Sequence, residues 1–255
     1  AYLPLFVLMQ FYVSCPPVYL TCMLASGVLC GGYFFALGKA YEHGHLSIAY
    51  PLARAVPILL VTFGGMALAG ERPSLCAMSG IVLILAGCLM LPLRRFGFGP
   101  DGFNLAGYVN KSTLWALLSA VFTAGYSLCD KFGAANAPGE GLSGLAGKLN
   151  YVYVQNAICF GLVWLTLRFG QAPARTVYRG RAFFCGLLFL FSYFLIMLAL
   201  VNNPVSYVVS FRQLSIVIGA VVSMLFIEKE MIRVRMLAVL MVFSGVVMVG
   251  LGRSE

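Results

Sequence analysis

The sequence predicts an all-α polytopic membrane protein, and three observations carry that prediction. Hydrophobic residues make up 61% of the 255 residues and charged ones 10%, with a mean hydropathy of +0.94, a balance that no soluble domain could keep dry. Several uncharged runs reach the roughly 18 residues that a bilayer-crossing helix needs. The chain also repeats itself: sliding residues 39–90 onto 198–250 by an offset of 158 superposes Arg54 on Arg212 and Gly87 on Gly245.

With charges and helix breakers read as punctuation, the apolar segments are 1–13, 18–40, 47–69, 75–91, 112–131, 150–167, 182–201, 204–226 and 232–250. The first is too short to span and has neither the charged start nor the cleavage site of a signal peptide. It is expected to be the tail of a helix that begins upstream of Ala1. The second carries Gly31 and Gly32, small enough for close helix approach. The third opens SIAYPLARAVP, with Pro51 and Pro57 freeing carbonyls near Arg54. The sixth brings Gln155 and Asn156 to depths where polar groups need partners, and hydrogen bonds between helices are the expected ones. The eighth starts at Pro204 and contains Arg212. Connectors 92–111 and 132–149, rich in Gly and polar residues, read as linkers or mobile loops.

Each half runs through the same events: a helix, a polar connector, a helix with one arginine in its first third, an acidic turn, and a helix ending in a small residue. Granting a missing first helix, the repeat unit is five helices. An odd number inverts the second copy, giving an inverted repeat of two five-helix bundles with a shared site near the midplane. The expected boundaries are 1–91 for the first repeat, 92–111 for a linker and 112–255 for the second. Arg54, seven residues past Ser47, then lies about 10 Å deep at 1.5 Å per residue, and Arg212, eight past Pro204, about 12 Å from the opposite face.

A charge inside a spanning helix is expensive and marks a functional site by default. The acids Glu42, Glu71, Asp101, Asp130, Glu140, Glu228, Glu230 and Glu255 all fall at segment ends or in loops on this reading. The apolar interiors therefore offer no carboxylate to neutralise the arginines, which points to an anionic ligand or a wet cavity. Candidate substrate-binding residues are Arg54, Arg212, Tyr50, which shares a helix face with Arg54, Gln213 and Tyr207 beside Arg212, and the similarly placed Tyr33 and Tyr193. Asn156 completes the set. Glu71 and Glu228 or Glu230 read as helix caps or as partners of Arg72 and Lys229 rather than as site residues.

Other classes fare badly. There is no GxSxG, HExxH or Walker motif, so no catalytic residues and no cofactor are expected, and the chain is not read as an enzyme. The eight cysteines form no CxxC and read as small buried hydrophobes. His43 and His45 are two apart and would not share a helix face, so no metal site is expected. The net charge of +9 is scattered over short loops, which excludes a nucleic-acid surface. By the positive-inside rule, eleven loop cations against four would put the C-terminus outside.

YPLARAVPILL followed by GERPS and GIVLILAGCLML, and SFRQLSIVIGAVVSMLFIEKE followed by SGVVMVGLG, resemble the two halves of the EamA-like branch of the drug/metabolite transporter superfamily. The resemblance covers nearly the whole chain. It implies ten helices in two inverted five-helix repeats, of which about nine are visible here, working by alternating access around a central cavity. It also implies both termini in the cytoplasm, against the charge count, and the family expectation is preferred.

The expected function is secondary-active or exchange transport of a small organic metabolite, anionic or zwitterionic, across a bacterial inner (plasma) membrane. The partners are the substrate and the lipid bilayer, with no nucleic acid. Proton coupling commonly uses an intramembrane carboxylate, and none is visible on this reading, so proton and counter-solute coupling both stand open. Two alternatives remain: an exporter of lipophilic cations or drugs, suggested by 20 Phe and 13 Tyr, and a non-transporting membrane protein or lipid flippase.

Overall fold

The apolar periodicity resolves into helices throughout. The computed structural model describes residues 16–43, 46–91, 110–169, 179–226 and 232–252, with side chains throughout these except at 46–52, 179, 181, 223–226, 232 and 233. Its helices are α1 (Pro17–His43), α2 (Leu46–Leu68), α3 (Leu75–Met90), α4 (Lys111–Ala135), α5 (Gly141–Phe169), α6 (Arg179–Asn202), α7 (Val205–Phe211), α8 (Leu214–Phe226) and α9 (Ile232–Leu251). Among the described residues six helical spans are long and apolar enough to cross a bilayer, the fifth of them running from Val205 to Val222 through the α7–α8 junction. Large apolar side chains such as Phe63, Trp164, Phe191 and Leu240 face outward, as they do where lipid rather than water is the solvent. The chain is an all-α polytopic membrane protein.

Helix ends fall close to the expected ones with two exceptions. The connector expected at 132–149 is largely helical: α4 runs on to Ala135 and α5 begins at Gly141. Glycine is used here to fold the turn back. Gly139 and Gly141 have φ of 84° and 58°, the left-handed region that glycine adopts freely. A methyl group on Gly147 would lie 2.9 Å from the Pro138 carbonyl oxygen, so the glycine-rich stretch is a helix start packed on its own turn. The second exception is the segment 204–226, which is broken at Arg212 and Gln213. The segment expected at 1–13 and the connector 92–109 lie outside the described residues, as do His45, Glu228, Lys229 and Glu230.

The chain divides into two compact units. The first takes the described part of residues 1–35 with residues 125–203, that is, most of α1, the C-terminal half of α4, and α5 and α6. Its close approaches use small residues: a methyl on Gly31 would meet Leu162 at 2.8 Å, and one on Gly27 would meet Ile158 at 2.9 Å. Tyr19 crosses edge-on to Tyr151, ring centroids 5.6 Å apart, and donates to the Gly147 carbonyl at 2.7 Å. In this way α1 is fixed to α5.

The second unit takes residues 36–124 and 204–255. In it α3 and α9 pack antiparallel. A methyl on Gly80 would sit 2.6 Å from the Gly245 carbonyl oxygen, one on Gly87 2.8 Å from that of Ala238, and one on Gly252 2.7 Å from Ser74 Oγ. Backbones at this spacing exclude any larger residue, the usual basis of helix association in lipid. Glu71 caps α7: its carboxylate accepts from the Val205 N–H and, at 3.2 Å, from the Ser206 hydroxyl, satisfying first-turn donors that Pro204 leaves exposed. The capping role expected of Glu71 is thus met on a helix remote in sequence.

Candidate functional site

A buried acid is the main departure from the sequence reading. Asp130 is not at a helix end. It lies inside α4 at 1% exposure, so the premise that the apolar interiors hold no carboxylate does not stand. A charge-as-punctuation rule had ended the helix at Asp130 and Lys131. The helix continues because Lys131 turns its ammonium to the Leu200 and Asn203 carbonyls, 2.8 Å from each, and so satisfies the open end of α6.

Three hydroxyls donate to the Asp130 carboxylate. Ser26 from α1 and Tyr151 from α5 reach Oδ1, the latter at 3.1 Å, and Tyr193 from α6 reaches Oδ2. Gln155 lies behind two of them: its Nε2 donates to Ser26 Oγ at 2.8 Å and to Tyr193 Oη at 2.9 Å. These bonds fix the hydrogens. A hydroxyl that accepts from the amide and donates onward has its own proton directed at Asp130, so the network is built for an ionised carboxylate. Every residue in it is at most 5% exposed. Burial of a charge is tolerable only with such bonding. The remaining amide oxygen, Gln155 Oε1, is buried and has no hydrogen-bond partner among the described residues.

The second cluster lies in the other unit, at the break between α7 and α8. Here the i−4 ladder fails: Gln213 N–H bonds Ser210 O at 3.0 Å and Ile216 N–H bonds Gln213 O at 2.9 Å, both three-residue closures. The Val209 carbonyl, which the Gln213 backbone would have taken, accepts instead from the Gln213 side chain at 3.3 Å. A side chain inserted into the ladder is a recognised cause of a kink. The same Nε2 lies 3.4 Å from the Arg54 carbonyl oxygen, which brings Arg54 and Gln213 together. Two buried polar atoms at and before the break, Tyr207 Oη and Gln213 Oε1, have no hydrogen-bond partner among the described residues, at 8% and 3% residue exposure. Buried groups of this kind need a ligand or water to satisfy them.

The expected site residues therefore divide. Arg54, Arg212, Gln213 and Tyr207 belong to the second unit, with Arg212 half-buried at the break itself. Tyr50 lies on α2, and its side chain is outside the described ones. Tyr193 is a member of the acid network in the first unit. Tyr33 stacks edge-on with Phe34 and Tyr126 at 4.9 and 6.0 Å. Asn156 donates to the Val152 carbonyl of its own helix at 2.7 Å, so its amide bonds within α5, whereas Gln155 makes the bonds between helices expected of the pair. Asp130, Ser26, Tyr151 and Gln155 were not selected as site residues. Pro51 and Pro57 do not break α2, which is continuous through both.

Compared with known proteins, no family model matches the chain and no curated protein matches it.

Proposed function

We propose that the chain is a secondary transporter moving a small organic metabolite across a bacterial inner membrane by alternating access. One observation carries this reading: an apolar span broken at its polar residues, with Tyr207 Oη and Gln213 Oε1 buried and without a hydrogen-bond partner among the described residues, and Gln213 beside the Arg54 backbone. Discontinuous helices with irregular backbone at membrane depth are tolerated where they line a cavity, and they form the solute sites of many transporters. Arginine supplies a partner for a carboxylate, and the Gln213 acceptor needs a donor such as an ammonium. Together they favour a zwitterion over a simple anion.

Two further points support the inverted-repeat architecture. The corresponding helices of the two halves, α3 and α9, pack antiparallel through small residues at Gly80, Gly87 and Gly245. Two repeats related by an in-plane axis would pack in this way. The resemblance of YPLARAVPILL and SFRQLSIVIGAVV to the EamA-like branch of the drug/metabolite transporters agrees with it.

A second reading, export of lipophilic cations, is favoured by Asp130 between Tyr151 and Tyr193. Against it, three hydroxyls already occupy that carboxylate. The test is uptake by proteoliposomes of matched anionic, zwitterionic and cationic metabolites. Zwitterion flux that falls at least about tenfold in Arg54→Gln and Arg212→Gln supports the proposal. Flux of none of the three classes, or of lipophilic cations alone, defeats it.

A further inference from the structure

We propose that Asp130 is a proton-binding site, and that Gln155 reverses its amide when the proton arrives. The inference rests on the transport reading in one respect only, in taking the proton to be the coupling ion. The binding itself is argued from the network.

As described, the carboxylate is the anion. It receives three O–H donors, two of them held in that direction by the Gln155 amide N–H groups. A proton from water on Oδ2 makes this arrangement untenable, because the new O–H and the Tyr193 O–H would then point at each other. Tyr193 must turn its hydrogen elsewhere and accept from the acid. The acceptor it needs is on the neighbouring amide: Gln155 Oε1, buried and without a hydrogen-bond partner. Rotation of the amide brings Oε1 to the Ser26 and Tyr193 hydroxyls. Both then donate to it, and the Asp130 acid donates to Tyr193. Atoms balance: one proton enters from water and no covalent bond among the side chains breaks; Oε1 gains two hydroxyl donors, and the Nε2 N–H groups give up the two hydroxyls they held.

The network ties together α1, α4, α5 and α6 through Ser26, Asp130, Tyr151, Gln155 and Tyr193, so its reversal alters bonds on every helix of this unit. Among the described residues, the groups around Asp130 include Ser26 and Cys22 on α1, Cys129 on its own helix, Tyr151 and Gln155 on α5, and Tyr193 on α6. Lys131, next in the chain, carries its ammonium to the end of α6. Of these, the carboxylate is the group whose ordinary range lies nearest neutrality from below.

The test is infrared difference spectroscopy of the full chain in lipid, titrated from about pH 9 to about pH 4, a window that brackets a carboxylate shifted by burial. The expected result is a carboxylic-acid carbonyl band that grows as pH falls, accompanied by a change in an amide side-chain band, and absent from Asp130→Asn. Tyr151→Phe keeps the acid and removes an Oδ1 donor that takes no part in the reversal. Loss of a bond to the charged form favours the neutral one, so the midpoint should move to higher pH by about one to two units. A band that survives in Asp130→Asn, or a midpoint unmoved in Tyr151→Phe, overturns the proposal. So does tetraphenylphosphonium binding that requires Asp130 while the band fails to titrate, which would make the acid a cation site. No solute is needed for the spectrum, so the two failures are distinguishable. A titrating band in a protein that carries nothing sinks the transport reading alone, and flux without the band sinks this one alone.

Discussion

The α3–α9 crossing gives a prediction whose size follows from the geometry. Gly80→Ala places a methyl 2.6 Å from the Gly245 carbonyl oxygen, and Gly245→Ala places one 2.6 Å from that of Gly80. An ordinary carbon–oxygen contact is about 3.3 Å, so the helices must part by roughly 0.7 Å along a seam that is otherwise closed. Overpacking of this kind costs about 1–3 kcal/mol. At about 2–4 °C per kcal/mol for a chain of this size, either variant should lower the unfolding temperature by roughly 2–12 °C. The controls are Gly186→Ala and Gly219→Ala, where an added methyl meets nothing within 4 Å and where alanine favours the helix by about 0.5–1 kcal/mol. The assay is thermal unfolding in one detergent, followed by static light scattering or by intrinsic fluorescence. Because each methyl meets the other residue's carbonyl, the double variant should cost less than the two singles together, the first separation making room for the second. Seam variants as stable as the controls would show that α3 and α9 do not approach at these glycines.

Other expectations follow from single contacts. Glu71→Gln keeps an acceptor but loses the charge that the Val205 N–H and Ser206 hydroxyl meet, and should cost about 1–2 kcal/mol in denaturant unfolding, whereas Glu71→Asp should retain part of it. Lys131→Met leaves the Leu200 and Asn203 carbonyls without their ammonium, so amide exchange should accelerate over 199–203 and not in α3. Gln213→Leu removes the acceptor at the break and should reduce zwitterion flux more than flux of a plain anion, a difference that proteoliposome uptake reads directly. Ser26→Ala takes one donor from Asp130 and one acceptor from Gln155, and should raise the midpoint of the Asp130 titration as Tyr151→Phe does, since both cost the charged form more than the neutral one.

The spans were legible because lipid leaves a chain few options: a run without charges must be a helix, and its ends show as charge, Gly or Pro. The close approach at Gly31, the capping role of Glu71 and the start of α7 at Pro204 were legible for similar local reasons. Three things were not. The helical start of α5 was hidden because GLSGLAGK has the composition of a loop, and only the positive φ at Gly139 and Gly141 turns it into a tight corner ahead of a helix. The break at Arg212 and Gln213 contains no proline or glycine; its cause is a glutamine side chain taking a backbone bond, which composition cannot show. The acid network was missed because its members lie at residues 26, 130, 151, 155 and 193, and each has a bland explanation alone. A signal did exist: past Asp130 and Lys131 the sequence FGAA is still apolar and small, so the helix need not have ended there.

Restoring Asp130 to the interior changes the weight of the arginines. While no acid was visible, Arg54 and Arg212 argued for an anionic ligand by elimination. That argument lapses once a buried carboxylate exists. What replaces it is local: the arginines and the two unsatisfied acceptors of the broken span fall in one unit, and the carboxylate with its hydroxyls falls in the other. On the proposed reading, a ligand carrying both a negative charge and a hydrogen-bond donor would suit the unit that holds the arginines and the Gln213 acceptor. A carboxylate that already accepts from three described hydroxyls offers little to a bulky cation, and on the proposal above it takes up a proton when those hydroxyls redirect their hydrogens. On the two proposals above, solute recognition falls to the unit that holds the arginines and the driving ion to the unit that holds Asp130.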